Sequence, residues 1–254
     1  MRKLTACHDR RIAFSLMNIL ALDTCFGACS VAAGCWTGEG TSRAIHEFER
    51  RQTGHAEALM PMVERVMAQA NLAFSDLDRI AVTTGPGSFT GMRIGVAAAR
   101  ALSLGTGAPV VGIPTLEVMA EASKLHYREC QMDQPMPETL LVAVDARKDQ
   151  VYAQCFASGV ASCRPAAVLS PQDAAKLIPT GPVILVGSGA ASVAEYLVGR
   201  GSGILKLFAD LQPRADCLAA LAAIAKPDHL PVRPHYLRPP DAKPQDEKSI
   251  SRLS

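Results

Sequence analysis

The pattern of apolar and polar positions in the first half of the chain predicts paired strands followed by alternating helices and strands. NILALDT and ACSVAAG have the pattern of two paired strands, and a third strand is expected near RAIHEFE. Apolar residues recur at helical spacing from about Ala56 to Ala70, where Pro61 predicts a kink or a late start of the helix. RIAVTTG then predicts a buried strand, FTGMRIGVAAARALSLG a second helix, and PVVGIP a strand followed by a helix from about Thr115. This order is typical of an α/β fold.

The second half repeats the order of elements. TLLVAVDARKDQVYAQCFA predicts two strands joined by a turn, GPVILVGSGAASVAEYL a strand, a glycine turn and a helix, and DCLAALAAIAK a further helix. Two halves that each open with a hairpin predict a duplicated fold with a cleft between two domains. We assign residues 1–16 to an extension outside the fold, 17–125 to an N-terminal domain that docks a partner, 126–238 to a C-terminal domain, and 239–254 to a mobile tail. The last helix is a candidate to pack back on the first domain.

Composition and charge narrow the class of protein. Of the 254 residues, 48% are hydrophobic and 20% are charged, which is ordinary for a folded globular chain. The 26 basic and 24 acidic residues leave a formal charge of +2, too small to indicate nucleic-acid binding by composition. The eight cysteines form no CxxC pair, so spacing predicts no zinc site and favours a reducing cytoplasm. No run of 18 apolar residues predicts a membrane span.

Two aspartates follow the first strand of each half and are candidates for a nucleotide site. In actin-like ATPases such aspartates hold the metal–nucleotide complex, and glycines after them let phosphate approach the backbone. Here Asp23 is followed by Thr24, and Asp145 is followed by Ala146 and Arg147. A side chain at these positions crowds the path of a phosphate. The alternative, in which both carboxylates cap turns by accepting backbone hydrogen bonds, stays open.

The glycine-rich segment TTGPGSFTGMRIG, residues 83–95, has two interpretations. Thr90 is expected to cap the second helix, and Gly91, Gly95 and Ala99 follow at intervals of four on one face. Small residues in this register let another helix or strand approach closely. The face could dock a partner or pack inside its own domain, and spacing alone does not decide between them. The histidines lack metallopeptidase spacing, and Ser88 has no evident base nearby in the sequence.

Four segments together closely resemble the bacterial TsaB (YeaZ) family over residues 17–238: ILALDTCFGACSVA, TGPGSFTGMRIGVAAARALSLGTGAPVVGIPTLEVMA, AVDARKDQVYA and HYLRP. The resemblance implies a duplicated actin/Hsp70-like (ribonuclease H-like) fold. Family members act with the related catalyst TsaD and the ATPase TsaE in making threonylcarbamoyladenosine next to the anticodon of tRNAs. TsaD-like sequences carry two metal-binding histidines four residues apart, and the corresponding positions here are Thr115 and Met119. The resemblance therefore implies a non-catalytic subunit without a metal.

The resemblance also implies partners and sites. The chain is expected to pair with TsaD, to form a homodimer when alone, to meet tRNA through the complex, and to bind ATP or ADP only in the complex. The expected partner-binding residues are Leu59, Met60, Met62, Val63, Val66, Met67, Gly91, Met92, Gly95, Ala98 and Ala99. The expected remnants of a nucleotide site are Asp23, Thr24, Gly85, Gly87, Ser88, Thr90, Asp145, Arg147, Gly187 and Gly189. The alternatives are an actin-like ATPase or kinase and, less favoured, a glycopeptidase-like hydrolase.

Overall fold

A computed structural model describes residues 16–37, 40–130, 135–157, 164–199, 201–227 and 231–238. The predictions for the extension, apart from Leu16, and for the tail lie outside these residues. The first half forms a five-stranded sheet of order β3-β2-β1-β4-β5, in which the hairpin strands are antiparallel and β4 and β5 run parallel to β1. Its elements are β1 (Met17–Asp23), β2 (Ala28–Thr37), β3 (Gly40–Arg50), α1 (His55–Ala70), β4 (Arg79–Thr83), α2 (Phe89–Thr106) and β5 (Val110–Ile113).

The second half forms a sheet with the same connectivity, which confirms the predicted duplication. Its order is β8-β7-β6-β9-β10, with an antiparallel meander followed by two parallel strands. The elements are α3 (Thr115–Glu129), β6 (Thr139–Asp145), β7 (Val151–Phe156), β8 (Ala167–Leu169), α4 (Pro171–Ala175), β9 (Gly181–Val186), α5 (Ala190–Ala194), β10 (Ser202–Phe208) and α6 (Ala215–Ile224). Short 3-10 turns at Phe74–Asp76 and Glu195–Leu197 complete the order.

The first sheet is covered on both faces, and β1 alternates accordingly. Leu20 and Leu22 pack in a core with α1 and α2, whereas Ile19 and Ala21 pack in a core with α3 and α6. Successive side chains of a strand point to opposite faces, so a strand covered on both sides is apolar at every position. This explains why NILAL has no polar alternation.

Two helices connect the halves. Val118 of α3 packs in the core of the first sheet, and Met119 of the same helix packs in the core of the second. α6 follows the second sheet along the chain, yet Leu218 shares a core with Ile19 and Trp36 of the first sheet. α3 therefore packs on both sheets, and α6 packs on the sheet of the first half. The domain boundaries proposed from the sequence stay predictions.

The expected late start of the first helix is wrong. α1 begins at His55 and includes Pro61. Pro61 lacks a backbone N–H, so the carbonyl of Glu57 loses its helical partner. Both residues lie on the exposed side of α1, where water can hydrate that carbonyl. The helix therefore tolerates the proline.

Candidate functional site

Asp23 ends β1 and is completely buried. Its Oδ1 accepts hydrogen bonds from the Thr83 hydroxyl at 2.5 Å and from the backbone N–H of Cys25 at 3.3 Å. Its Oδ2 has no hydrogen-bond partner among the residues that the structure describes. The Asp23 carboxyl group thus caps the turn after β1, as in one of the two alternatives that the sequence left open.

Burial also changes the charge of this group. It raises the pKa of Asp23 to about 7, and the hydrogen bonds from Thr83 and Cys25 oppose this rise without cancelling it. The carboxyl is therefore partly protonated near neutral pH. Magnesium prefers ionised oxygen ligands that water can reach. Asp23 thus suits a structural role better than that of a magnesium ligand.

The glycine-rich turn lies directly against the turn after β1. Its Gly85–Pro86 peptide bond is cis, and Gly85 has a left-handed φ of 116°. The backbone N–H of Gly85 donates to the Thr115 hydroxyl at 3.0 Å, and the N–H of Thr115 donates to the carbonyl of Gly85 at 2.9 Å. The N–H of Ser88 donates to the carbonyl of Cys25 at 2.7 Å. Three segments that are distant in sequence are therefore joined here by hydrogen bonds.

Ser88, and not Thr90, caps α2. The Ser88 hydroxyl accepts a hydrogen bond from the N–H of Gly91 at 3.3 Å, and the helix begins at Phe89. Thr90 lies inside the first turn with its side chain exposed. Serine and threonine are both common helix caps, so the sequence pattern alone chose the wrong hydroxyl.

The small-residue face of α2 packs inside the domain. The Thr24 hydroxyl donates to the carbonyl of Gly91 at 2.7 Å, and a Cβ on Gly91 would overlap the carbonyl oxygen of Thr24. A Cβ on Gly95 would lie 2.8 Å from the Thr24 Oγ1. The glycines let α2 approach the turn after β1, and the backbone of Gly91 is in direct contact with Thr24.

The matching turn of the second half is also explained by packing. Asp145 ends β6 as Asp23 ends β1, but its side chain is exposed. The N–H of Gly189 donates to the carbonyl of Ala143 at 3.1 Å, and a Cβ on Gly187 would overlap that same carbonyl oxygen. Gly187, with φ of 99°, takes a conformation that other residues rarely adopt. The two glycines thus meet a requirement of their own sheet, without a ligand.

The β6–β7 turn has an unusual backbone. Arg147, Lys148 and Asp149 all have left-handed φ values, of 64°, 53° and 53°. The turn is closed by a hydrogen bond of 2.8 Å from the N–H of Ala146 to the carbonyl of Gln150. Left-handed residues other than glycine cost on the order of 1 kcal/mol each. This strained turn holds Arg147 at the surface of the second half.

Residues 231–238, which we call the strap, join the two halves, a role that the sequence did not reveal. The N–H of His235 donates to the carbonyl of Thr84 at 2.7 Å. Three residues later the Arg238 guanidinium donates to the carbonyl of Ala146 at 2.5 Å. The only signal in the sequence was HYLRP, one of the segments that carry the family resemblance. The strap therefore ties the glycine-rich turn to the β6–β7 turn.

Most of the expected partner-binding side chains are core residues. On α1 and α2, side chains that are at most 3% exposed belong to Leu59, Met62, Val63, Val66, Met67, Met92 and Ala99. Gly91 and Gly95 are buried as well, and Ala98 is half-buried. These side chains do not form a surface in this structure, because the apolar stripe of each helix faces its own sheet, and their assignment as partner-binding residues stays a prediction. Met60, 38% exposed, is the exception.

The outward side of α2 carries other apolar residues. Leu104 is 90% exposed, and α2 borders an open groove with the strap. The groove is lined by Arg93, Val96, Ala97, Arg100, Ala101, Leu104, Pro234 and Tyr236. We call Met60, Ala97, Ala101 and Leu104 the docking face. The assignment of α1 and α2 as docking helices stays a prediction.

A serine, a histidine and an aspartate come together on the opposite side of the first sheet. The Ser30 Oγ lies 2.9 Å from the His46 Nε2, and the His46 Nδ1 lies 4.0 Å from an Asp216 carboxylate oxygen. This order resembles that of a hydrolase triad. Ser30, however, is fully buried, and its Oγ accepts a hydrogen bond from the N–H of Ala215 at 2.9 Å. The cluster therefore fastens the start of α6 to the sheet and leaves no accessible nucleophile.

The pKa values of His46 and Asp216 are both lowered in this cluster. Burial lowers the pKa of His46, although the Asp216 charge opposes that shift. Burial alone would raise the pKa of Asp216, but the hydrogen bond from Arg214 and the charges of His46 and Arg214 hold it below its usual value. Asp216 is thus ionised and paired with Arg214 at 2.8 Å.

The described residues carry neither a metal-binding cluster nor a membrane-spanning helix. Among them, no three His, Cys, Asp or Glu side chains converge as they would around a metal ion. Thr115 and Met119, which the family resemblance compares with a metal-binding histidine pair, are both buried in the protein. Within the same ranges, no helix combines the length and the apolar character needed to cross a membrane.

Comparison with protein families gives a match that covers more than half of the chain. The family model of TsaD, described as tRNA N6-adenosine threonylcarbamoyltransferase, matches residues 49–195. The tRNA threonylcarbamoyladenosine biosynthesis protein TsaB of Haemophilus influenzae is 37% identical over 137 residues, which are 54% of this chain and 52% of that protein. The TsaB protein of Escherichia coli is 38% identical over 136 residues, 54% of this chain and 53% of that protein. The chain thus spans about half the length of these curated relatives.

Solved structures extend the similarity to most of the chain. The structure of YeaZ from Pseudomonas aeruginosa superposes with a TM-score of 0.68 at 31% identity, covering 81% of this chain and 90% of that one. A structure described as an uncharacterized protein with similarity to peptidase YeaZ from Pseudomonas aeruginosa superposes with a TM-score of 0.70 at 30% identity, covering 87% of this chain and 100% of that one. The overall fold is therefore shared with YeaZ.

Proposed function

The chain belongs to the TsaB (YeaZ) family, and we propose that it is a non-catalytic subunit that supports the synthesis of threonylcarbamoyladenosine in tRNA. In this proposal it binds a TsaD-type transferase and leaves the chemistry to that partner. The observation that carries the proposal is the packing of α2 on the turn after β1. Thr24 and Gly91 are in contact there, and we infer that this contact leaves no room for a phosphate beside the backbone of Thr24.

Two other observations support the absence of catalysis in this subunit. The Asp23 carboxyl is buried and has its pKa raised to about 7, which suits a turn cap. The Ser30–His46–Asp216 cluster, the arrangement nearest to a hydrolase site, is closed to substrate because Ser30 is fully buried. Neither the ATPase nor the glycopeptidase alternative is favoured by a specific feature of the described residues.

The docking face is the surface that we propose for the transferase. α1 and α2 cover the same side of the first sheet, and their outward side chains include Met60 and Leu104. A leucine that is 90% exposed on a helix lowers its free energy when a partner covers it. The small side chains of Ala97 and Ala101 allow a partner helix to approach α2 closely.

The remaining assignments follow from the same proposal. The isolated chain forms a homodimer through the docking face, and the transferase replaces the second copy in the complex. The chain contacts ATP or ADP, the ATPase TsaE and tRNA only as part of that complex, which acts in the cytoplasm. These assignments rest on the family resemblance, and the docking face supports the first of them.

The test is reconstitution with the TsaD protein of the same organism, with tRNA modification as the readout. Threonylcarbamoylation of tRNA is expected to require both proteins. Leu104→Glu is expected to weaken association by about 2 kcal/mol, roughly thirtyfold, because a central interface residue is lost. The matched control is Val198→Glu, since Val198 is 84% exposed on the second half. Equal affinities for the two variants, measured by calorimetry, would show that the docking face is wrongly placed.

A further inference from the structure

We propose that one end of the strap forms a binding surface for an unpaired RNA segment, made by Phe89, Arg93, Arg147, Arg233 and Tyr236. We call these five residues the RNA face. The inference rests on the proposed function, in which the complex handles tRNA, and it adds a direct contact between this chain and the RNA. The formal net charge of the whole chain is only +2, but this surface is locally basic. α2 and residues 231–238, which supply most of it, contain no acidic residue.

The first observation is the local charge. α2 and residues 231–238 contain four arginines and no aspartate or glutamate. Arg93 and Arg233 form no ion pair with any acidic residue that the structure describes, and both are exposed. Guanidinium groups without an acidic partner attract phosphate, to which they can donate two hydrogen bonds at once. The surface is therefore complementary to a phosphodiester backbone.

The second observation is an exposed aromatic pair beside these arginines. The rings of Phe89 and Tyr236 lie 5.3 Å apart and are 42% and 37% exposed. The Arg93 guanidinium lies 3.7 Å from the centre of the Phe89 ring, and its Nε donates to the Tyr236 hydroxyl at 2.9 Å. These contacts hold the three side chains in one arrangement before any ligand binds. Proteins that bind single strands combine such aromatic platforms with basic grooves, because bases stack while phosphates pair.

The third observation brings the second half to the same surface. Arg238 donates to the carbonyl of Ala146, the residue before Arg147. Tyr236 is two residues from Arg238, so extended backbone separates them by at most about 7 Å. The left-handed β6–β7 turn exposes Arg147 at this place. The strained turn and the strap thus bring Arg147 of the second half close to the aromatic pair of Phe89 and Tyr236. Asp145 and Asp149 of this turn are the nearby opposing charges.

An RNA segment fits this surface better than a protein partner does. An acidic peptide would use the arginines but would leave two exposed aromatic rings without a role. Phe89 is also 15 residues from Leu104 along α2, which corresponds to about 22 Å of helix. The two surfaces adjoin, because Arg93 and Tyr236 line the same groove as Leu104. Phe89 and Arg147 are not among the residues that line this groove, so the part of the RNA face that they form stays accessible when the transferase covers Leu104.

The test measures the binding of a fluorescently labelled oligonucleotide of unpaired pyrimidines, and of a tRNA transcript, by anisotropy at several salt concentrations. Both the isolated chain and its complex with the transferase are used. Arg93→Glu and Arg147→Glu are each expected to weaken binding about tenfold, and the salt slope should fall by about 0.7 for each phosphate that the variant no longer neutralises. Tyr236→Ala is expected to weaken it roughly fivefold or more, whereas Tyr236→Phe keeps the stacking and most of the affinity. The matched control is Arg128→Glu, an exposed arginine on α3.

Three results would overturn the proposal. The first is a wild-type affinity weaker than about 100 µM for both RNAs, in the chain and in the complex, which is below ordinary non-specific binding. The second is equal RNA affinity for Arg93→Glu and Arg128→Glu. The third is a loss of transferase binding, with unchanged RNA affinity, in Arg93→Glu, which would assign the surface to a protein. Failure of the docking proposal is read separately, from Leu104→Glu and Val198→Glu.

Discussion

Replacing Gly91 with alanine tests the packing that fills the candidate nucleotide site. The new Cβ would lie closer than 3.0 Å to the carbonyl oxygen of Thr24, a distance that real Cβ atoms essentially never show. The clash is between two backbone segments, so no flexible side chain can move away. α2 must therefore shift outward from the turn after β1.

The magnitude follows from three contributions to the free energy of unfolding. Overpacking at a close approach costs about 1–3 kcal/mol. The shift also weakens the buried hydrogen bond of 2.7 Å from Thr24 to Gly91, which costs about 1–2 kcal/mol. The better helix propensity of alanine returns at most about 1 kcal/mol. The net loss is about 1–5 kcal/mol, or roughly 2–20 °C in the melting temperature of a chain of this size.

The assay is thermal melting followed by circular dichroism, together with denaturant unfolding. Gly105→Ala is the matched control, because Gly105 lies on the same helix and a Cβ there meets nothing within 4 Å. That variant is expected to melt at or slightly above the wild-type temperature. A Gly91→Ala variant as stable as Gly105→Ala would refute the close packing, and with it the argument that α2 blocks a phosphate.

Two further predictions concern the same turn. Titration calorimetry of the isolated chain with Mg-ATP is expected to show weak binding or none, because we propose that the contact between Thr24 and α2 leaves no room for a phosphate; a micromolar site that disappears in Asp23→Ala would favour an ATPase. The folded state holds a proton on Asp23 that the unfolded state releases, so this group lowers the free energy of unfolding as the pH rises from 3.8 to about 7. Asp23→Asn is expected to remove that decrease in the free energy of unfolding, measured with denaturant between about pH 5 and about pH 8. A pH profile equal to that of the wild type would contradict the raised pKa of Asp23.

The sequence predicted the fold well because its strongest signals are local and occur twice. Continuous apolar runs such as NILAL, glycine turns and helical spacing each depend on a few neighbouring residues, and their repetition indicated the duplicated sheets. The order of the strands then follows from a meander and two parallel crossovers in each half. The capping residue was missed because Ser88 and Thr90 offer the same chemistry two positions apart.

The site was harder to predict, since it depends on which surfaces meet. Spacing showed that Gly91 and Gly95 permit a close approach, but it could not show that Thr24 is the group that approaches. The buried methionines of α1 match a binding face as well as a core face, and only the position of the sheet decides. His46 and Asp216 lie far apart in the chain, so no local pattern could bring them together.

The return of α6 to the first sheet affects how the chain can fold during its synthesis on the ribosome. β5 ends at Ile113, but α6, which covers Trp36 and Ile19, ends only at Ile224. At ordinary translation speeds this interval lasts on the order of ten seconds. We expect the nascent first half to expose an apolar sheet surface for that time and to recruit chaperones. A fragment that ends at residue 125 should accordingly bind a hydrophobic dye and aggregate, and a monomeric, cooperatively melting fragment would contradict this order of events.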